Sequence, residues 1–271
     1  MSAVAAGTAG TAPAPSRRST AALVLREIRW EQVTFWRNPA AAIFTGAFPV
    51  MFLVIFGSLN KGSRIGFYGG VKFTQYYVPA IISFSMMSAC YTALAMQLVN
   101  RRETGILKRV RATPLPARAV IASQILNSVL VGLMVSVLVA VIGVTFYGFH
   151  VYWGRLPVLL LVLLLGGLSL SALGMLVGSL VPNMDSAPGI VNFVFFPIVF
   201  LSGTFYPIKS TSAISRIMEW LPLRPFTLSM FRVFDPRGGP PLDLRDLLVL
   251  LAWGAGAALL AVRLFRWEPR I

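Results

Sequence analysis

The chain of 271 residues has one cysteine, one histidine and only nine acidic residues. Cys90 stands alone in an apolar run, so neither a disulfide framework nor a thiolate metal site can be built from it. His150, equally solitary, supplies neither a metal centre nor a proton relay. Charged residues make up 12% and hydrophobic ones 56%. The usual soluble domain carries about 25% charge, which sets a soluble globular protein aside. Charge is also missing from the long apolar runs. Secondary transporters and proton pumps need ionisable groups at membrane depth, and here the nearest acid, Asp185, falls in a short connection. The closest approach to a phosphate-binding loop, GSLNKGS at 57–63, has Ser63 where a lysine should follow Gly62. No carboxylate pair, Ser/His/Asp set or Cys/His set converges within the runs, so the chain is expected to break no bonds of its own.

What the sequence does have is six apolar stretches, at about 39–58, 76–98, 119–146, 156–181, 187–206 and 247–264, broken by charge only at Arg263 on the lip of the last. Crossing a bilayer core takes roughly 20 apolar residues at about 1.5 Å each. Runs such as VLLLVLLLGGLSLSALGMLVGSLV at 158–181 are apolar all round rather than alternating, and only a helix satisfies its own backbone in lipid that way. The spacing therefore predicts an all-α integral membrane protein with six transmembrane helices. Gly174 and Gly178, four apart, predict a close helix approach.

The net charge of +15 does not point to nucleic acid, because the 24 basic residues sit in loops and tails, where anionic lipid accounts for them. Fourteen fall on one side if the N-terminus is inside, and the short segment RRETGILKRVRATPLPAR at 101–118 carries six of those. Short loops dominate orientation, so both termini are expected in the cytoplasm of a multi-pass plasma-membrane protein. Residues 1–19 lack a signal-peptide pattern and read as a disordered cytoplasmic tail, with 266–271 a short C-terminal one.

Residues 20–38 form a different unit. Ala21, Val24, Leu25, Ile28, Phe35 and Trp36 follow helical spacing, with Arg26, Arg29 and Arg37 off the stripe. An amphipathic helix at the membrane interface is expected, Arg26, Arg29, Trp30 and Trp36 meeting the headgroup region. Trp30 and Leu23 break the stripe, so a partner groove is an alternative seat. Asn38-Pro39 ends the helix. The permease body then runs from 39 to 265. In its 207–246 loop, Ile214, Ile217, Met218 and Leu221 suggest a short helix on or dipping into the outer leaflet.

The basic segment carries the strongest local pattern. Asn100 and Glu103 are spaced as a capping box, predicting a short helix over 101–111 that Pro114 and Pro116 stop. Ile106, Leu107 and Val110 give it an apolar face and Lys108 and Arg111 a cationic one, the form of a peg for a groove in a soluble partner. A loop that merely touches lipid headgroups is the alternative.

These residues resemble a known family. RRETGILKRVRATPLP at 101–116 is similar to the signature of the type-2 membrane subunits of ATP-binding-cassette transporters. FFPIVFLSGTFYPI at 195–208, LPLRPFTLSMFRV at 221–233 and YYVPAIISFSMMSA at 76–89 resemble further stretches of that family, most closely the daunorubicin-resistance type of drug-export permease. The resemblance implies a coupling helix at 101–111, with Glu103, Gly105, Leu107, Lys108, Arg109, Arg111 and Thr113 touching an ATPase subunit. It also implies short outer helices within 207–233, and a working unit of two ATPase chains with two permeases, either copies or paralogues. ATP and magnesium would be bound by the ATPase partner and no cofactor by this chain.

On this reading the chain exports a hydrophobic or amphipathic compound by alternating access. Phe84, Met87 and Ser88 on the second span and Asn192, Phe195 and Phe196 on the fifth are candidates for the pathway, since aromatic, Met and a few polar groups suit such cargo. Export of a lipid-linked or polysaccharide substrate is an alternative. From other classes come a membrane-embedded transferase or protease using Asp235, Asp243 and Asp246, and a non-transporting assembly component.

Overall fold

The computed structural model describes residues 20–66, 69–106, 117–205 and 218–264. Helices cover most of the described part of each apolar run, the one at 187–206 being helical over Ala187–Leu201. In chain order the helices are α1 (Thr20–Trp36), α2 (Pro39–Leu59), α3 (Phe73–Met87), α4 (Leu94–Glu103), α5 (Ala117–Tyr147), α6 (Leu156–Leu180), α7 (Ala187–Leu201), α8 (Leu223–Val233) and α9 (Leu244–Leu264). A π-helical turn, Ser88–Ala93, joins α3 to α4. Together they make one rod, Phe73–Glu103, about 45 Å long at the helical rise.

Among the described residues four helices are long and apolar enough to cross a membrane: Phe73–Glu103, Ala119–Tyr147, Trp153–Leu180 and Leu244–Leu264. Thr45–Leu59, within α2, and Ala187–Leu201 are apolar but shorter. Helical architecture and multiple apolar helices thus follow the expectation. One small element departs from it. The connection after α2 pairs β1 (Arg64–Ile65) antiparallel with β2 (Val71–Lys72), Arg64 opposite Lys72 and Ile65 opposite Val71.

The α3–α4 rod is the hub. Of its most apolar 18 residues 83% are buried, against 22% in α9. Its neighbours come close because α6 offers glycine where they meet. A Cβ on Gly174 would lie 2.7 Å from the Tyr91 carbonyl oxygen, and one on Gly178 would lie 3.1 Å from that of Ala95. The expected close approach is therefore present, backbone against backbone, at the π turn and the start of α4. Such π turns inside α-helices concentrate at functional sites.

Interior prolines at 49, 79 and 197 each remove one backbone donor. Just after Pro79, Ser83 donates to the Pro79 carbonyl at 3.1 Å and Ser85 to that of Ile81 at 2.8 Å, so both hydroxyls are satisfied within their own helix. Exposed apolar side chains are spread over α2, α5, α6, α7 and α9, among them Ile43, Val137, Leu160, Phe193 and Val262.

α8 enters the bundle. Leu223, Phe226 and Met230 are wholly buried, and Phe226 sits over Gly166, where a Cβ would come within 2.4 Å of its ring. Gly166 is ten residues into α6, placing the contact about 15 Å below that helix's start. Arg224, also buried, donates to the Ser202 carbonyl at 3.0 Å, which partners a cation that would otherwise be costly there. Most of the helix expected around Ser212–Leu221 lies outside the described residues.

Candidate functional site

Three consecutive residues close the rod at its Glu103 end, and each grips a different part of the chain. Arg101 Nη2 lies 2.5 Å from Glu31 Oε2 on α1. Arg102, 2% exposed, donates to the Val181 carbonyl and, at 3.1 Å, to that of Pro182. Glu103 Oε1 accepts the Met184 amide at 2.7 Å. Val181 caps the C-terminus of α6 and Ser186 the N-terminus of α7. A cation therefore meets the negative end of one helix and a carboxylate approaches the positive end of the next.

This arrangement corrects the capping box. Asn100 lies inside α4, its carbonyl accepting the Thr104 amide at 2.9 Å, and Arg101, Arg102 and Glu103 are the last turn of that helix. The chain leaves the helix through Thr104 and through Gly105, whose φ of +70° suits glycine. A helix beginning at Arg101 is thus not formed, because the incoming rod is already hydrogen-bonded through that point. Of the expected ATPase-contacting residues, Glu103 and Gly105 sit at this terminus. Leu107, Lys108, Arg109, Arg111 and Thr113 lie outside the described residues.

α1 is docked by polar contacts that its apolar stripe does not announce. Glu31 is 8% exposed and accepts from Gln97 at 3.2 Å as well as from Arg101. Gln32 donates to Asn127 of α5 at 2.7 Å. Val24, Ile28 and Phe35 turn toward the protein, whereas Leu25 and Trp36 of the same stripe are exposed. Arg26, Arg29 and Trp30 are exposed too. The stripe is accordingly split between a protein-facing side and an outward one.

Higher in the bundle, Phe84, Phe195 and Phe196 come together. Phe84 and Phe195 are 5.8 Å apart between ring centres and Phe195 and Phe196 5.6 Å. Sequence reasoning missed their partners: Phe48 and Phe52 of α2 lie 6.1 and 5.8 Å from Phe84, and Phe205 lies 5.9 Å from it. The i, i+4 spacing of Phe48, Phe52 and Phe56 was the available signal. Phe48, Phe196 and Phe200 are about half exposed, whereas Met87 is fully buried in the core. Ser88 opens the π turn and Asn192 is half-buried on α7. Tyr91, beside this cluster, donates to the Val191 carbonyl at 2.9 Å.

The three carboxylates, Asp235 and Asp243 in the connection after α8 and Asp246 in the first turn of α9, are held by arginines. Asp235 takes the Arg237 side chain at 2.7 Å, while Asp243 and Asp246 both pair with Arg232. Burial disfavours the Asp235 charge, but hydrogen bonds from the Arg237 side chain and amide, with the charges of Arg237 and Arg155, outweigh it and hold the carboxyl below its usual range.

Residues 19–233 match the family model described as ABC-2 type transporter. The inner membrane transport permease YadH of Escherichia coli (strain K12) is 30% identical over 157 residues, covering 58% of this chain and 60% of YadH. The putative transport permease YvfS of Bacillus subtilis (strain 168) is 24% identical over 66% of this chain and 71% of its own length. Nodulation protein J of Rhizobium leguminosarum bv. viciae is 27% identical over 69% and 73%. A matched region that takes in α1, the whole rod with its gripping terminus, and α8 makes this chain a member of the ABC-2 type transporter membrane family, a permease subunit.

Proposed function

We propose that this chain is the six-span membrane subunit of an ATP-driven exporter, powered by two copies of a separate ATPase that bind ATP and magnesium. The observation that carries the reading is the triple grip of Arg101, Arg102 and Glu103. A partner pressing on the segment after Gly105 would move α1, the α6–α7 connection and the rod together, since all three are tied at one point. The apolar runs hold no coupling charge of their own, so energy from a partner fits the composition.

The grip then faces the cytoplasm, with both termini on that side of the plasma membrane, and 107–113 seats in the ATPase. Two permease chains pair, as copies or paralogues. The half-exposed rings of Phe48, Phe196 and Phe200 face the seam between them, suiting a hydrophobic or amphipathic cargo moved outward.

The test is co-expression with the ATPase, followed by co-purification and efflux of a lipophilic cationic dye from cells. Wild type should retain the ATPase and lower dye accumulation. Glu103→Lys, inserted normally, should lose both. Unchanged ATPase retention by that variant would overturn the coupling assignment, and dye accumulation equal to that of cells lacking both proteins would remove this cargo class.

A further inference from the structure

At the opposite end of the rod from Glu103 lies a cavity of about 360 Å³ that the transport reading leaves unused. Its walls come from three separate connections: the β1–β2 pair, the turn at 148–152 and the loop after α8. Arg64, Lys72, Arg237 and His150 line it, and no acid does among the described residues. Asp235, the nearby carboxylate, is already paired with Arg237.

Such connections usually move, yet the turn at 148–152 and the loop after α8 are pinned. Gln75, 5% exposed, donates to the carbonyls of His150 and Phe234 at 2.9 Å each and accepts the His150 amide at 3.1 Å. Behind it Arg155 donates to the carbonyls of Arg232, Val233 and Asp235 at 3.1 to 3.3 Å. The cavity is therefore formed before anything enters it, which lowers the ordering cost of binding.

A second observation points to the occupant. Arg64 and Lys72 stand directly opposite each other across the β1–β2 pair, and like charges so placed oppose the pairing. An anion between them would turn that repulsion into two charge-assisted hydrogen bonds. Arg64 uses one nitrogen on the Gly70 carbonyl at 3.2 Å, which folds the guanidinium back over the turn. Trp153, 77% exposed, follows the half-buried Tyr152 of the cavity wall, and an exposed Trp beside a Tyr is the pairing enriched at the membrane–water interface.

We propose that this cavity binds a phosphate-class anion, carried either on a lipid headgroup or free in solution. The proposal does not depend on the cargo or on the ATPase. Its test uses the purified full chain in detergent micelles, with phosphatidylglycerol, diacylglycerol and inorganic phosphate as probes and native mass spectrometry as readout. Wild type should hold phosphatidylglycerol about tenfold more than diacylglycerol, the scale of one charge-assisted hydrogen bond. The double variant Arg64→Gln, Lys72→Gln should abolish that preference, while Arg245→Gln, at a residue that pairs with Glu219 outside the cavity, should keep it. Displacement of the lipid by millimolar phosphate identifies free phosphate as a ligand, and persistence of the lipid identifies the headgroup with its chains; either result sustains the site. Phosphatidylglycerol retention equal in wild type and the Arg64, Lys72 variant overturns it. Should that variant lose its monodisperse elution, Lys72→Gln alone, at an exposed position, decides the comparison.

Discussion

Arg101 and Glu31, 70 residues apart in sequence, form an ion pair at 2.5 Å in which both side chains are largely buried. Removing one member of such a pair leaves the other without compensation. Glu31→Ala should lose about 3 kcal/mol of stability, measured as thermal unfolding in detergent, and α1 should become more sensitive to protease. The exchange Glu31→Arg with Arg101→Glu should recover part of the loss. Wild-type behaviour of Glu31→Ala would show that Gln32 and the apolar contacts suffice to dock the helix.

Arg102 and Glu103 are matched in sign to the helix ends they meet. Exchanging them, Arg102→Glu with Glu103→Arg, conserves net charge and composition but places each charge at the wrong terminus. The cost should be at least about 1 kcal/mol for each end, read from the same unfolding experiment. Glu103→Gln retains a carbonyl acceptor for the Met184 amide and should be milder by more than half.

Backbone contact leaves no room at Gly174. Gly174→Val should destabilise by about 2–3 kcal/mol through overpacking, since the obstructing atom is a carbonyl of the rod. Gly256→Val, a helix position with nothing within 4 Å, is the control and should unfold near the wild-type temperature.

The aromatic cluster separates packing from passage. Phe195→Ala, at an 8% exposed position, should cost about 3 kcal/mol. Phe196→Ala, 52% exposed, should leave stability within about 1 kcal/mol. It should lower dye efflux if that face meets cargo. Unaltered efflux in Phe196→Ala would move the pathway elsewhere.

Asp235 gives a pH signature. Its carboxyl is held below its ordinary 3.8 in the folded chain, so the charged form stabilises the fold above that value and the contribution disappears as pH falls through the folded value. Unfolding temperatures of wild type and Asp235→Asn should differ by a constant amount from neutral pH to about 4 and converge in stronger acid. A constant gap throughout would show that hydrogen-bond geometry, not charge, holds the Asp235–Arg237 pair.

The helices were legible because apolar runs in lipid have few structural choices: 156–181 was expected and Leu156–Leu180 is found. Gly174 and Gly178 were legible for a related reason, small residues at a four-residue spacing having one main use in membrane helices. Asn100 and Glu103 misled because a capping box is a local pattern, and the same spacing occurs inside a helix arriving from upstream. Glu31 gave no signal, since an acid on a basic amphipathic helix looks solvent-facing until its distant partner is known. Phe48 and Phe52 were missed because their neighbours come from α3 and the segment after α7, a tertiary relation that spacing on α2 does not carry.

The Tyr91 hydroxyl, anchored on the Val191 carbonyl, staples the second apolar helix to the fifth within a single polypeptide. On the pairing proposed above, these two helices would travel as one jaw, a cargo mouth would open along the line where two such jaws meet, and a chemical crosslink joining Tyr91 and Val191 positions inside one subunit should leave that mouth free to work.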